Sequence, residues 1–434
     1  MGIFCSCSKL QENENNLSAF CKFCQTQFGG IGWQRFKSNQ CKSHKNKNLH
    51  QLDKNNCTND SVVSDDTKGD CQTSLSTFWS DIALADTNSF SDQNDVIDQP
   101  ADSVPVENPE AGEAEVGVLC QYSIEDFELM KIIGDGTYAT VFMVEHKRSQ
   151  CTYAMKVIEK ERAAKNIDIN WVQNERNVFI TVAECSFFVA LHCCFQTTSQ
   201  LFFVMEFVRG GDLLYFMKRK RRLTENHARF YTAEISLALN FLHTKGIIYR
   251  DLKLENVLLD HEGHIKLADY GLCTNLKWPG EKIDSLCGTA NYIAPEIIRF
   301  EPYGFSVDWW ALGIILYEML VGKSPFDIKE VPPNEDYNTI TFTRILYNPL
   351  SIPKYLSGEA TCVLKGLLNK NAVDRLGCFG DVKDCPFFKS IDWKMLEQKK
   401  IQPNYIPQLD SDRDLTNFSS DFTDKPVHLK PDDQ

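Results

Sequence analysis

The sequence lacks a long apolar segment. A membrane-spanning helix needs about 18 uninterrupted apolar residues, whereas the most apolar stretch, residues 309–321, is interrupted by Glu318 and indicates a buried helix. The N-terminus also lacks a charged start followed by an apolar core, so we expect no secretory signal peptide. The 17 cysteines are an odd number, scattered through polar and apolar surroundings. We therefore predict an intracellular, cytoplasmic protein whose cysteines mostly stay reduced.

Basic side chains are almost absent from one segment. Residues 60–119 contain 14 Asp or Glu and a single base, Lys68, giving a net charge of −13 that equals the formal charge of the whole chain. Residues 1–59 carry +5 and residues 120–434 carry −5. Phosphate binding by a nucleic-acid-binding protein needs a positive patch, which most of this chain does not supply, so we expect no nucleic acid as a partner. The acidic segment is rich in Ser, Asn and Pro, which predicts a disordered linker.

Regular structure is predicted from Tyr122 onward. A helical pattern covers residues 171–180, and a longer helix begins after the N-cap residue Thr224 and ends at Gly246. Before and between these helices, runs of β-branched and aromatic residues predict strands over 127–133, 141–145, 153–158 and 201–207. We infer an α+β fold with a strand-rich first lobe and a helical second lobe. A cleft between two lobes is a natural small-molecule site.

A glycine-rich loop and a lysine indicate phosphate binding. Glycines let backbone amides approach phosphate oxygens closely, and an ordinary glycine-rich hairpin is the alternative because alanine replaces the third glycine. Lys156 follows on the third strand, where Glu175 would orient its ammonium toward nucleotide phosphates. The alternative is a surface lysine. The loop consists of Gly134, Asp135, Gly136, Thr137, Tyr138 and Ala139.

The most informative pattern is a charged loop, residues 249–256 (Tyr-Arg-Asp-Leu-Lys-Leu-Glu-Asn), followed by an Asp-Tyr-Gly sequence that starts at Asp269. In phosphoryl transfer, Asp251 would accept the proton of an incoming hydroxyl and Lys253 would neutralise charge on the transferring group. Asn256 and Asp269 would hold Mg²⁺ over the phosphates. A predicted hairpin between them brings the two magnesium ligands side by side, and a chance solvated loop does not explain this order.

These motifs resemble those of the eukaryotic protein kinases. The family's order continues with Ala-Pro-Glu at 294–296, Asp-Trp-Trp-Ala-Leu-Gly at 308–313 and Arg375. The Asp-Tyr-Gly variant and the segments 171–173, 194–197 and 303–310 resemble atypical protein kinase C of the iota/zeta type. The resemblance covers residues 122–434. It implies an active serine/threonine protein kinase that uses ATP and Mg²⁺.

The same resemblance implies roles for further residues. Lys253 with Thr289 indicates serine/threonine specificity. The adenine would be bonded by the backbone of Glu206 and Val208 and enclosed by Ile133, Val141, Ala154 and Leu258. A column of apolar residues would couple the helix bearing Glu175 to the charged loop: Phe179, Leu201, Tyr249 and Tyr270.

The implied partners are protein substrates with Ser or Thr near basic residues, and an upstream activating kinase. Acidic positions that related kinases use to bind basic flanking residues correspond to Asp212, Glu255 and Glu318, with Thr289 also facing the peptide. Surface salt bridges are the alternative for those three carboxylates. Ser285 stands at the activation-loop phosphosite, where a phosphate would pair with Arg250.

Residues 122–388 are predicted to form the catalytic domain and residues 389–434 a truncated C-terminal tail that keeps an aromatic at Phe418. Ala290 replaces a family proline, and Lys430 replaces the threonine of a tail phosphosite. A final hydrophobic motif is missing. A catalytically weak, pseudokinase-like scaffold or adaptor is therefore the alternative to an active enzyme.

Residues 1–59 keep the register of the cysteine-rich zinc finger of protein kinase C, but Ser8, Ser38, Asn46 and Leu49 replace four of its ligands. Each of two sites would retain two cysteines, and structural zinc needs four ligands. We predict no stable zinc finger unless His44 or His50 completes a site. The basic pseudosubstrate of atypical protein kinase C is also missing.

Two short motifs have competing interpretations. Residues 1–6 (Met-Gly-Ile-Phe-Cys-Ser) fit the myristoylation pattern at Gly2, which would add peripheral membrane contact, and a coincidental match is the alternative. Residues 218–222 (Lys-Arg-Lys-Arg-Arg) fit a nuclear address, but we favour a solvated helix end.

Overall fold

The computed structural model describes residues 122–136, 139–161, 170–278, 280–328, 330–332 and 335–429. The zinc-finger-like segment, Gly2, the acidic linker and Lys430 lie outside these ranges, as do Thr137 and Tyr138 of the glycine-rich loop. The described residues confirm the predicted α+β fold of two lobes. None of their helices is long and apolar enough to cross a membrane.

The first lobe is built on a five-stranded antiparallel sheet with strand order β1-β2-β3-β5-β4. Four strands agree with the predicted ones. The fourth strand in the chain was not predicted, because its Leu, His and Cys residues lack the β-branched pattern of the others. The strands are β1 (Phe127–Asp135), β2 (Ala139–His146), β3 (Thr152–Glu159), β4 (Leu191–Gln196) and β5 (Gln200–Glu206).

The two faces of this sheet pack against different parts of the chain. Successive strand residues point to opposite faces, so Leu201 and Phe203 pack with helix α1 (Asn170–Val182) in the main core. Phe202 and Val204, on the other face, belong to a smaller cluster that the C-terminal tail covers. The tail contributes Phe422, Val427 and Leu429 to that cluster.

Helices dominate the second lobe. The predicted long helix is confirmed as α3, which begins after Thr224, whose hydroxyl accepts a hydrogen bond from the His227 amide at 3.4 Å. The predicted buried helix is also confirmed, since α5 is buried along almost its whole length. The helices are α2 (Leu213–Lys220), α3 (Glu225–Thr244), α4 (Pro295–Ile298), α5 (Ser306–Val321), α6 (Tyr337–Tyr347), α7 (Gly358–Leu367) and α8 (Trp393–Glu397). A short helix of the C-terminal tail, α9 (Ser420–Thr423), lies against β1 of the first lobe.

Short strands between α3 and α4 carry the loops that face the cleft. The predicted hairpin is confirmed, with Val257 paired to Leu267 and Leu259 paired to Ile265. Its turn contains Gly263, which has a φ of 93°. These strands are β6 (Ile247–Ile248), β7 (Val257–Leu259), β8 (Ile265–Leu267) and β9 (Thr274–Asn275).

A buried ion pair organises the helical lobe. Arg375 donates from two nitrogens to the two carboxylate oxygens of Glu296, at 2.6 and 2.8 Å, and also to the Ser306 carbonyl at 2.8 Å. Its guanidinium lies 5.2 Å from the centre of the Trp310 ring. Removing one partner of such a pair leaves an uncompensated buried charge, at a cost of about 3–5 kcal/mol.

The tail after α8 crosses from the second lobe to the first. It passes Gly211, where an added Cβ would lie 2.1 Å from the Asn417 carbonyl oxygen, so only glycine allows this approach. The next residue, Phe418, stacks on Phe207 with ring centres 5.5 Å apart. The tail therefore covers the segment that joins the two lobes.

Candidate active site

Three predicted residues donate hydrogen bonds to the buried carboxylate of a fourth, Asp251. Asp251 is only 7% exposed. One of its oxygens accepts hydrogen bonds from Lys253 Nζ at 2.6 Å and Asn256 Nδ2 at 3.2 Å, and the other accepts from the Thr289 hydroxyl at 2.8 Å. Burial raises the pKa of Asp251, and the ammonium of Lys253 only partly offsets this effect. A carboxylate with a raised pKa is suited to accept a proton.

Lys156 joins two further predicted residues. Its Nζ lies 2.5 Å from Glu175 Oε1 on α1 and 2.9 Å from Asp269 Oδ1. Burial disfavours the ammonium, but the carboxylates of Asp269 and Glu175 outweigh that effect and raise the pKa of Lys156. The alternative of a surface lysine is wrong, because Lys156 is buried.

The β7–β8 hairpin brings the two predicted magnesium ligands together. The Ala268 amide donates to the Asn256 carbonyl at 2.9 Å, which places Asp269 next to Asn256. Asp269 has a φ of 59°, and its side chain is 48% exposed toward the cleft. Partial desolvation there opposes ionisation, but Lys156 holds the pKa of Asp269 below its ordinary value.

The donor set suits Mg²⁺ better than a metal held by protein ligands alone. The Asn256 amide nitrogen is committed to Asp251, so its amide oxygen and the Asp269 carboxylate are the oxygen ligands on offer. Mg²⁺ typically takes one or two protein oxygens and fills its shell with phosphates and water. No group of three or more His, Cys, Asp or Glu suited to a metal occurs among the described residues.

The predicted adenine site combines apolar side chains from both lobes with a free hinge amide. Within the part of the chain that the structure describes, the Val208 N–H donates no hydrogen bond. The Glu206 carboxylate is paired with Lys266 Nζ at 2.7 Å, so Glu206 offers a ligand its backbone. The apolar members, Ile133, Val141, Ala154 and Leu258, are buried or half-buried against the main core.

The glycine-rich loop is tied to the tail. Gly136 donates from its amide to the Ala139 carbonyl at 2.9 Å and closes the turn. The Asp135 carboxylate contacts Lys425 Nζ at 2.5 Å. Lys425 was not identified from the sequence, because nothing in the pattern links it to a residue 290 positions away.

Comparison with known proteins agrees with this geometry. Residues 127–388 match the protein kinase domain. Atypical protein kinase C of Drosophila melanogaster is 51% identical over 98% of this chain and 71% of its own length. Protein kinase C zeta type of Oryctolagus cuniculus is 45% identical over 98% of this chain and 73% of its length. The chain belongs to the protein kinase family. Protein kinase C epsilon type of Oryctolagus cuniculus is 43% identical over 74% of the chain and 44% of its length, and together these relatives identify a serine/threonine protein kinase similar to atypical protein kinase C.

Asp308 anchors the catalytic loop of this kinase, a role that the sequence pattern alone did not reveal. Its two carboxylate oxygens accept from the backbone amides of Arg250, at 2.8 Å, and Tyr249, at 2.9 Å. His243 Nε2 lies 2.8 Å from the same carboxylate. Arg250 has a φ of 67°, an uncommon conformation for a non-glycine residue that needs such support.

Ser285, the predicted phosphosite, is in contact with the side chain of Arg250. The guanidinium donates to the Ser285 hydroxyl at 2.7 Å and to the Leu272 carbonyl at 2.6 Å. Tyr303 also contacts the Ser285 hydroxyl, at 3.0 Å. A phosphate on Ser285 would therefore meet a cation already bonded to the activation segment.

The apolar column predicted from the resemblance is contiguous at its centre. Phe179 of α1 packs edge-on against Tyr270, with ring centres 4.6 Å apart. The Tyr270 hydroxyl donates to the Val189 and Leu267 carbonyls at 3.0 and 2.9 Å. Leu201 and Tyr249 are buried in the same core. The helix bearing Glu175 is thus packed directly on the Asp-Tyr-Gly segment.

The three predicted peptide-binding carboxylates form no ion pair within the described ranges, so the salt-bridge alternative is not supported. Asp212 caps α2 by accepting from the Tyr215 amide at 2.7 Å, and burial raises its pKa to about 6. Glu318 accepts from the Tyr292 hydroxyl at 2.8 Å, and burial raises its pKa to about 8. Glu255 is exposed.

Trp171, the first residue of the segment 171–173 that carries the family resemblance, is a positioning residue, a role that the resemblance did not assign to it. It lies one helical turn before Glu175, and Lys156 Nζ is 5.5 Å from the centre of its ring. A Cβ on Gly271 would lie 2.6 Å from the indole nitrogen, so the indole packs directly on the Asp-Tyr-Gly backbone. The indole N–H has no hydrogen-bond partner among the described residues. The available signals were its place in the segment 171–173 and its four-residue spacing from Glu175.

We expect Trp171→Ala to lower kcat about ten-fold, because misplacing groups that orient a reacting phosphate is costly. Trp171→Phe should retain most activity, since it keeps the ring and loses only an N–H without a partner. Steady-state kinetics with varied ATP, together with thermal unfolding of both variants, measures this. Equal loss of activity in both variants would contradict a role for the ring.

Proposed function

We propose that this kinase transfers the γ-phosphoryl group of ATP to Ser or Thr hydroxyls that lie near basic residues in proteins. The observation that carries the proposal is the simultaneous contact of Lys156 with Glu175 and Asp269. Protein kinases need this lysine–glutamate pair, and the aspartate that corresponds to Asp269 of the Asp-Tyr-Gly sequence, in place for activity. Their assembly favours an active enzyme over a pseudokinase-like scaffold.

The chain's own residues have distinct roles in this proposal. Asp251 is positioned to accept the hydroxyl proton, and Thr289 and Asn256 fix the orientation of its carboxylate. Lys253, bonded to Asp251 at 2.6 Å, places a positive charge where negative charge develops on the transferring group. Mg²⁺ held by Asn256 and Asp269 would supply neutralisation of the nucleotide phosphates. Lys156, held by Glu175 and Asp269, would orient those phosphates.

We expect Asp251→Asn to lower phosphate transfer to a basic Ser peptide about 10²–10⁴-fold, the usual contribution of a general base. Radiolabelled phosphate incorporation measures this. Asp424→Asn is the matched control, because it removes an exposed carboxylate in the tail. Equal phosphate transfer by the wild type and by Asp251→Asn would rule out the proposed kinase activity.

Basic flanking residues are proposed to bind at Asp212, Glu255 and Glu318. With a pKa of about 8, Glu318 is mostly neutral at pH 7 and becomes negative as the pH rises to 9. The KM of a basic peptide should therefore fall about three-fold over this range, because we expect an ion pair with the partly exposed Glu318 to contribute less than about 1 kcal/mol. Glu318→Gln should abolish this fall. A peptide without basic residues is the control, and an identical pH profile for both peptides would contradict the assignment.

Ser285 is proposed as the site where an upstream kinase activates this one. Phosphate there would form one to three charge-assisted hydrogen bonds with Arg250 and order the activation segment. We expect Ser285→Ala to lower activity about ten-fold and Ser285→Thr to preserve it. Phosphosite mapping of the active enzyme by mass spectrometry is the decisive measurement, and full activity without phosphate on Ser285 would refute the proposal.

We also propose a cytoplasmic location with lipid-mediated membrane contact through Gly2. The support is the sequence pattern at residues 1–6 together with the net charge of +5 over residues 1–59, which suits an anionic membrane surface. Intact-mass analysis of the N-terminal peptide from cells tests the lipid, and an unmodified Gly2 would end this part of the proposal.

A further inference from the structure

Five consecutive cations cover the end of α2 and the turn after it. All five side chains are exposed. Among the residues that the structure describes, none of the five forms an ion pair with a carboxylate; their polar and ring contacts are to Asn417, Tyr215, Tyr405 and Tyr355. We call this surface the α2 basic patch; it consists of Lys218, Arg219, Lys220, Arg221 and Arg222.

The backbone under the α2 basic patch is fixed. Arg221 caps the helix with a φ of 66° and donates from its amide to the Met217 carbonyl at 2.6 Å. The next turn is anchored by Leu223, whose amide donates to the Met319 carbonyl of α5 at 2.7 Å. The patch is therefore a rigid surface of the helical lobe.

Aromatic rings hold several of the cationic groups in place. The guanidinium of Arg222 lies 5.1 Å from the centre of the exposed Tyr355 ring, and Lys220 Nζ lies 6.0 Å from the Tyr405 ring. Cation–π contacts leave the hydrogen-bond donors of a cation free for an anion. The patch thus combines a concentrated positive charge with donors that no described carboxylate uses.

The charge distribution along the chain indicates what binds there. Residues 120–434 have a net charge of −5, so the catalytic part as a whole repels an acidic segment while the patch attracts one. Residues 60–119 have 14 acidic side chains against one basic side chain. This segment directly precedes the described structure, so it is present at a high effective concentration.

The acidic segment is also long enough to reach the patch. A random-coil chain of about 60 residues has an end-to-end distance of about 40 Å. A folded domain of about 300 residues has a radius of gyration of about 20 Å. A segment of this length that enters at Tyr122 therefore has access to any face of the catalytic domain.

We propose that the α2 basic patch is the docking surface for the acidic segment, residues 60–119, of the same chain. The bound segment lies beside the crossing of the tail, since Arg219 contacts Asn417 there at 3.4 Å. This interaction is independent of phosphoryl transfer. It is electrostatic and exposed, so added salt weakens it.

Zero-length carbodiimide cross-linking of the full chain, followed by peptide mapping, tests this proposal. Lys218 and Lys220 are the reporter amines, and Lys365 and Lys394 are matched controls that are exposed and unpaired among the described residues. We expect cross-links from the reporters to residues 60–119 at least about five-fold more often than from the controls. The cross-links should be unchanged on dilution of the protein and should fall about five-fold when NaCl is raised from about 50 to about 500 mM.

Charge variants make the test specific. Arg219→Gln with Arg222→Gln keeps both reporter lysines and should lower their cross-linking, whereas Arg148→Gln, an exposed arginine of the first lobe, should not. Four results would overturn the proposal: equal cross-linking of reporter and control lysines, cross-links that disappear on dilution and so join two copies, cross-links from residues 60–119 mainly to lysines of residues 1–59, or patch-dependent binding to phosphatidylserine vesicles without these cross-links.

Discussion

Three carboxylates must share one narrow cleft, and this electrostatic constraint shapes the rest of the molecule. Glu175, Asp269 and Asp251 would repel one another if left uncompensated. Lys156 bridges the first two and Lys253 contacts the third. The cleft is therefore stable only when a strand, a helix and two loops from different parts of the chain hold these ammonium and carboxylate groups in register. Movement of α1 alone would leave the buried carboxylate of Glu175 without its cation, while Lys156 would keep only Asp269 of the second lobe as its partner.

The loops that carry these charges are held at their backbones as well as at their side chains. Asp308 accepts from two amides of the catalytic loop, and Arg250 ties that loop to the segment around Ser285. Deeper in the helical lobe, Arg375 and Glu296 anchor the end of the same segment. Each anchor is a charged group bonded to backbone or to an opposite charge, an arrangement that keeps buried polar groups satisfied. The positive φ of Arg250 is a strained conformation that the bond from its amide to Asp308 supports.

Much of this arrangement could be predicted because local patterns encode it. Four strands, the long helix after Thr224 and the hairpin between Asn256 and Asp269 follow from short-range periodicity and turn residues. The pairing of Lys156 with Glu175 followed from the order of motifs. In contrast, β4 carries no β-branched signal, and the contact of Trp171 with Gly271 depends on how helix and loop pack in three dimensions. The ion pair between Asp135 and Lys425 joins residues 290 positions apart, and no local pattern reveals it.

Because the C-terminal tail packs on the catalytic domain, the folded unit extends beyond the end of the matched kinase domain. The match to the protein kinase domain stops at residue 388, yet Phe418 covers the ring of Phe207 and Phe422 packs on the outer face of the first sheet. A fragment cut at residue 388 would expose both surfaces to water. Recombinant expression of the catalytic part alone thus requires a boundary near residue 429. Shorter fragments are expected to aggregate even though they contain every catalytic side chain.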